Sequence, residues 1–292
     1  MSELTRRIGV ALWGIPALLL LTYMGGYYFL LLILIVNGMA LWEFYSIYRD
    51  KEIYPYRLPG VVLSSVFLLI TFFAPQHWES LLLLSVIYML FVNLSKQDGL
   101  ASKNAAFTIG GFAYITLFLS TLLFLRLNFD SWMPALSGQV PLLGFESWLP
   151  AFGIPVSPAG GRYIIVMFAS IWICDTAAYS GGRKLGKHKL APNVSPNKTV
   201  EGAAFGLVFG ILTFVLLGKL FLPGLPLVYT FLSGAVVGVF GQVGDLVESR
   251  FKRDAGVKDT STLLPGHGGF LDRFDSIIFV SPFLWALFYY ST

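Results

Sequence analysis

Nine stretches of this chain are apolar almost without interruption, and each is close to the length a helix needs to cross a bilayer: residues 8–24, 27–48, 58–74, 79–94, 105–127, 162–182, 200–222, 225–248 and 272–290. About 20 residues of α-helix cover the hydrocarbon core, with roughly 17–25 as the working range. Lipid offers no hydrogen bonds, so the backbone must pair within each crossing segment, and runs of this kind dictate a helical bundle. The third and fourth runs are short and read as tilted or partly interfacial. Only 12% of residues are charged, about half the ~25% of soluble domains. The expected fold is an all-α, polytopic integral membrane protein of about nine transmembrane helices. Residues 1–7 followed by an apolar run superficially resemble a signal peptide. No small-residue cleavage site follows, so a retained first helix is expected. The single cysteine, Cys174, excludes an internal disulfide and reads as a small apolar residue within a span.

The loops test the span count independently. With the N-terminus cytoplasmic, all but Arg126, Arg162 and Lys219 of the 20 Lys and Arg residues fall on the cytoplasmic side. Basic residues are retained on that side during insertion, so the expected topology is N-terminus in and C-terminus out, in the inner (cytoplasmic) membrane. The chain divides into membrane helices over 1–127, an outer loop over 128–161 and a helical unit with cytoplasmic motif loops over 162–292. Prolines 134, 141, 150, 155 and 158 oppose a spanning helix in the outer loop, and its aromatics suit the headgroup layer.

Acidic residues near a bilayer are costly and tend to be functional. Asp175 lies near the cytoplasmic end of the sixth run, Asp245 and Glu248 near the same end of the eighth, and Asp272 and Asp275 open the ninth. The members of each three-apart pair share a helix face, and topology brings all five to one depth. Such oxygen donors suit Mg²⁺, which binds through one or two carboxylates plus substrate phosphates. Pairing with Arg250, Arg253 or Arg273 is the structural alternative for any one of them.

The loop after the sixth run carries Arg183, Lys189, Ser195, Lys198, Thr199 and Glu201 among glycines, ahead of a helix N-terminus. Glycines let a backbone approach an anion, Lys and Arg neutralise it, and the helix end adds donors. No GxxxxGK[ST] occurs, so this is not a P-loop. The last cytoplasmic loop holds Lys252, Arg253, Lys258 and His267 among its polar residues. His77 and His188 lack comparable company and read as incidental. Gly234, Gly238, Gly241 and Gly244 form a small-residue stripe suited to close helix packing.

Ser249, Phe251, Lys252, Arg253, Lys258, Asp259, Pro265, His267, Gly268, Gly269, Asp272, Arg273 and Asp275 resemble, position for position, the signature of the phosphatidate cytidylyltransferase (CDP-diacylglycerol synthase) family. A second block is similar, from Asp175 to Tyr179 and on through Gly182, Arg183 and Ser195 to Gly202, with Phe205 departing where glycine is expected. The resemblance implies that CTP and phosphatidate give CDP-diacylglycerol and pyrophosphate. It implies Mg²⁺ in a two-cation centre, with Asp245 and Asp272 as ligands and Asp175, Glu248 and Asp275 in support. Lys258, His267 and Arg273 would act at the reacting phosphates. Arg183, Lys189, Ser195, Lys198, Thr199, Glu201, Lys252 and Arg253 would bind substrate. The expected partners are CTP, phosphatidate and membrane lipid, with no nucleic acid, and the family and the glycine stripe suggest a homodimer. One rival is a CTP-dependent polyprenol or phytol kinase. A second, a cation-coupled transporter, would place its acids nearer the midplane.

Overall fold

The computed structural model describes residues 3–95, 98–136, 158–264, 266 and 268–291. Helices α1 (Glu3–Met24), α2 (Gly26–Ser46), α3 (Arg57–Phe73) and α4 (Trp78–Leu94) follow the first four apolar runs. α5 (Ala101–Gly111) passes through a π-helical turn, Phe112–Leu117, into α6 (Phe118–Trp132), and the three form one continuous rod. The second half comprises α7 (Pro158–Leu185), a hairpin of β1 (Lys189–Ala191) and β2 (Ser195–Thr199), and α8 (Val200–Phe221). α9 (Leu227–Val236) joins α10 (Gln242–Ala255) through a second π turn, Val237–Gly241, and α11 (Leu271–Tyr289) ends the fold. Six of these rods are long and apolar enough to cross a membrane: Gly26–Ser46, Pro75–Leu94, Ala101–Trp132, Ala159–Leu185, Val200–Phe221 and Leu227–Ala255. The protein is an all-α polytopic membrane protein.

Two sequence expectations are refined. The sequence predicts a loop between the sixth and seventh runs, and within it β1 and β2 pair as an antiparallel hairpin, Lys189 opposite Thr199 and Ala191 opposite Ser195. The outer segment is also shorter than expected, because α6 continues to Trp132 and α7 already starts at Pro158. Proline is compatible with a first helical turn, where its missing N–H has no partner to lose. Residues 137–157, which hold the centre of that segment, lie outside the described residues.

Polar side chains pin the apolar rods together. Asn37 of α2 donates to Ser64 Oγ of α3 at 2.8 Å and accepts from Thr116 Oγ1 of the first π turn at 2.8 Å. Arg126, fully buried on α6, donates from Nε to Thr22 O and from Nη2 to Tyr23 O, each at 3.0 Å. A guanidinium there satisfies carbonyls that end α1 and complements its dipole. The larger of two apolar clusters joins residues from both halves, among them Phe29 and Leu41 of α2, Leu123 of α6, Met167 of α7, Phe214 of α8 and Ile278 of α11.

The glycine stripe lies inside the chain. A Cβ on Gly234 would stand 2.6 Å from Ile211 Cα, and one on Gly238 would stand 2.8 Å from Leu207 Cα, both on α8. Gly244 meets Phe279 of α11. The stripe therefore gives a second copy no free surface, and a homodimer would need another face. Gly234→Ala is expected to push α8 and α9 apart and to cost about 1–3 kcal/mol by overpacking, read as a lower unfolding temperature in detergent.

Candidate active site

The chain direction brings the C-terminal end of α7, the first three turns of α10 and the N-terminal ends of α8 and α11 to one end of the bundle. They enclose a cleft of about 690 Å³. Six carboxylates line it, Asp175, Asp245, Glu248, Asp259, Asp272 and Asp275, against four basic side chains, Arg183, Lys198, Lys252 and Arg273. All five acids singled out in the sequence are thus together, and acids exceed bases by two.

One oxygen each from Asp245, Glu248 and Asp275 lies within 4.8 Å of the other two. Asp275 and Glu248 are buried at 8% and 1% exposure, and among the described residues Glu248 Oε1 has no hydrogen-bond partner. Three carboxylates this close repel one another strongly unless positive charge sits between them. Hard oxygen donors with an unmatched buried oxygen fit a divalent cation such as Mg²⁺. Asp245 also receives Lys198 Nζ at 2.6 Å and the Ser249 hydroxyl at 3.1 Å.

Asp272 lies beside this triad with a different set of partners. Its Oδ1 takes Lys252 Nζ at 2.6 Å, while Oδ2 accepts Gly269 N–H at 2.7 Å and Thr260 N–H and Oγ1 at 2.9 Å each. The side chain is 3% exposed. Gly268 has φ +79°, and a Cβ there would come within 2.7 Å of Asp272 Oδ2. Only glycine gives both the left-handed backbone and the space. Lys252 Nζ is also 2.5 Å from Glu248 Oε2 without hydrogen-bond alignment, so one ammonium bridges two buried carboxylates one turn of helix and one loop apart.

The hairpin residues fall into two groups. Lys198, Thr199 and, from the end of α7, Arg183 line the cleft. Thr199 also caps α8, its Oγ1 accepting Gly202 N–H at 3.1 Å. Lys189 instead donates to Pro196 O, and Ser195 opens β2 away from the cleft. Glu201 accepts the N–H groups of Lys187 and His188 and meets His188 Nδ1 at 2.6 Å. It closes the turn from α7 into the hairpin, and His188, read as incidental, is its partner. Arg253 donates to Val194 O and Val257 O, tying the hairpin to the end of α10. Lys258 is exposed and does not line the cleft. His267 and Pro265 lie outside the described residues.

Three contributors escaped the sequence reading. Gln242 Nε2 donates to Gly238 O at 2.6 Å and Ala203 O at 3.0 Å, satisfying a carbonyl of the second π turn and binding α10 to α8. Its i,i+4 relation to Gly238 becomes meaningful only once the π turn is known. Thr260 is buried between Asp272 and α2. Glu43 of α2 reaches the same loop, and its signal was present, as the only charged residue in an otherwise apolar span. Phe205, the departure from the family pattern, lays its ring over Gly181 and stacks on Phe209.

Residues 5–291 match the cytidylyltransferase family. The chain belongs to that family. It is 33% identical over 288 residues to a phosphatidate cytidylyltransferase of Bacillus subtilis (strain 168), covering 98% of each chain. A Staphylococcus aureus (strain COL) protein of the same name is 34% identical over 266 residues, 87% of this chain and 88% of its own. One from Staphylococcus epidermidis (strain ATCC 12228 / FDA PCI 1200) reaches 50% identity over 125 residues, 43% of this chain and 48% of the relative.

Proposed function

We propose that this chain transfers a cytidylyl group from CTP to phosphatidate, giving CDP-diacylglycerol and pyrophosphate. The observation that carries this is the single cleft in which the Asp245–Glu248–Asp275 triad faces Lys198, Arg183 and Arg273. Full-length similarity to phosphatidate cytidylyltransferases supports the choice of substrates.

The chemistry needs little proton transfer. A phosphate monoester has a second pKa near ~6, so phosphatidate arrives mostly as a dianion able to attack directly. Its oxygen forms the new bond to the α-phosphorus of CTP, and the bond to the β-phosphate breaks as pyrophosphate leaves. The obstacle is repulsion between two polyanions. Asp245, Glu248 and Asp275 would hold Mg²⁺, which supplies charge neutralisation and polarises the phosphoryl oxygens. Lys198 and Arg273 orient the triphosphate and stabilise the departing pyrophosphate, and Arg183 extends that positive rim. Asp272 fixes Lys252 beside Glu248, and in a two-cation centre Asp175 and Asp272 would offer oxygens to the second cation.

In this reading the cleft end of the bundle faces the cytoplasm, which the distribution of basic residues supports. CTP then enters from water while the diacyl substrate enters from the leaflet of the cytoplasmic membrane. A nine-span, N-in topology would bring both to one depth.

Purified protein with CTP, phosphatidate and Mg²⁺ is expected to release pyrophosphate and CDP-diacylglycerol in equal amounts. Chelation by EDTA is expected to stop both, with recovery on adding Mg²⁺ back. Release of CDP without pyrophosphate would instead identify a lipid kinase.

A further inference from the structure

The first five apolar spans carry none of the signature residues, yet Glu43 from the second of them reaches into the part of the signature loop that holds Asp272. Glu43 sits in the last turn of α2 and is 4% exposed. Its Oε1 accepts Ser261 Oγ at 2.6 Å and Phe270 N–H at 3.0 Å. Its Oε2 accepts Thr260 Oγ1 and Leu271 N–H, each at 2.9 Å. Four donors from one loop therefore converge on one carboxylate that lies more than two hundred residues away in the chain. A methyl group on Gly269 would overlap both Thr260 Oγ1 and Glu43 Oε2, so the loop backbone has no slack against the clamp.

The contacts continue inward. Thr260 Oγ1 lies 2.9 Å from both Glu43 Oε2 and Asp272 Oδ2, so its single hydroxyl proton serves one carboxylate at a time. Asp272 holds Lys252, and Lys252 stands against Glu248 of the acidic triad. We infer that Glu43 is a positioning residue for the transfer reaction: by gripping Thr260, Ser261, Phe270 and Leu271 it sets Asp272 and Lys252, and through them the placement of Glu248. This rests on the cleft being the catalytic site. Glu43 itself does not line the cleft and touches no substrate.

The chemistry of the clamp dictates the variants. An amide in place of the carboxylate turns one of two acceptor oxygens into a donor facing donors, so Glu43→Gln disrupts one side of the grip without changing side-chain size. Thr260→Val cuts the link from Glu43 to Asp272 while leaving Ser261, Phe270 and Leu271 bound to Glu43. Full-length protein in nanodiscs would be assayed for CDP-diacylglycerol formation, alongside amide hydrogen exchange.

In Glu43→Gln, exchange protection is expected to fall over 260–271 while α2, α7 and α8 keep theirs, and kcat should drop about ten- to a hundred-fold, the range for outer-shell partners. Glu43→Asp, which keeps the charge, should recover part of that loss. The double variant with Thr260→Val should be no worse than the poorer single, because both cut one chain of contacts. Wild-type kcat in Glu43→Gln, unchanged loop protection, losses that multiply in the double variant, or deprotection of the whole bundle would each overturn the inference. If Glu43→Gln does not fold, wild-type kcat in Thr260→Val overturns it alone. Absence of turnover in the unmutated protein would fault the catalytic reading instead, and the exchange data would still decide whether Glu43 holds the loop.

Discussion

Asp245→Asn is expected to lower the rate of CDP-diacylglycerol formation by about a hundred- to a thousand-fold, the scale of losing one preorganised electrostatic partner, while leaving the folded protein as stable or more so. Asparagine matches the shape of aspartate but removes an anionic oxygen from the set shared with Glu248 and Asp275. It also removes the charge that holds Lys198 Nζ at 2.6 Å. Both changes weaken the grip on a cation and on the triphosphate. The same change relieves repulsion among three close carboxylates, which is a cost the fold carries for function. Activity and thermal unfolding in detergent should therefore move in opposite directions, or unfolding should not move at all. Retained activity would remove Asp245 from the centre. A large fall in unfolding temperature would show that the triad is structural.

Lys252→Met should lose stability as well as activity. Methionine preserves most of the aliphatic volume but leaves Glu248 and Asp272, at 1% and 3% side-chain exposure, without the ammonium between them. Removing one partner of a buried ion pair costs roughly 3–5 kcal/mol, because the remaining charge stays desolvated. The expected result is a strong drop in unfolding temperature together with loss of activity. Adding Glu248→Gln should restore part of the stability and none of the activity, since one buried charge is neutralised while a cation ligand is lost. If Lys252→Met unfolds at the wild-type temperature, the ammonium does not hold this site together.

The parts of the molecule that hydropathy governs were legible in the sequence. Apolar runs became helices because a lipid solvent leaves the backbone no other option. Asp175, Asp245, Glu248, Asp272 and Asp275 could be placed at one end of the bundle from chain direction alone, and they line one cleft. Their division of labour was not legible. Asp245 and Asp272 look alike in sequence, and only the fold gives Asp272 four donors from its own loop and Lys252. Basic residues were legible as a group for the same reason, since charge marks the side of the membrane but not the partner. Arg253 and Lys189 bind backbone carbonyls, whereas Arg183, Lys198 and Arg273 face the cleft. Glu43 was visible as a lone acid in an apolar span, but nothing local reveals that its partners lie at 260, 261, 270 and 271.

The π turn at Val237–Gly241 has a consequence for how the eighth apolar run does two jobs. Successive residues of an α-helix advance by about 100° around its axis. An inserted residue in a wider turn therefore rotates everything after it to a new azimuth. Before the turn, Gly234 faces α8; after it, Gly244 faces α11 and Asp245 and Glu248 face the cleft. Gln242 and Ser276 occupy the carbonyls of Gly238 and Gly241, so the irregular turn has its own donors. The rod thus has two independent phases, one tuned to packing against a neighbour and one to aiming its acids. Sequence drift in the packing half can proceed without re-aiming the chemistry, provided the number of residues between Val237 and Gly241 stays the same.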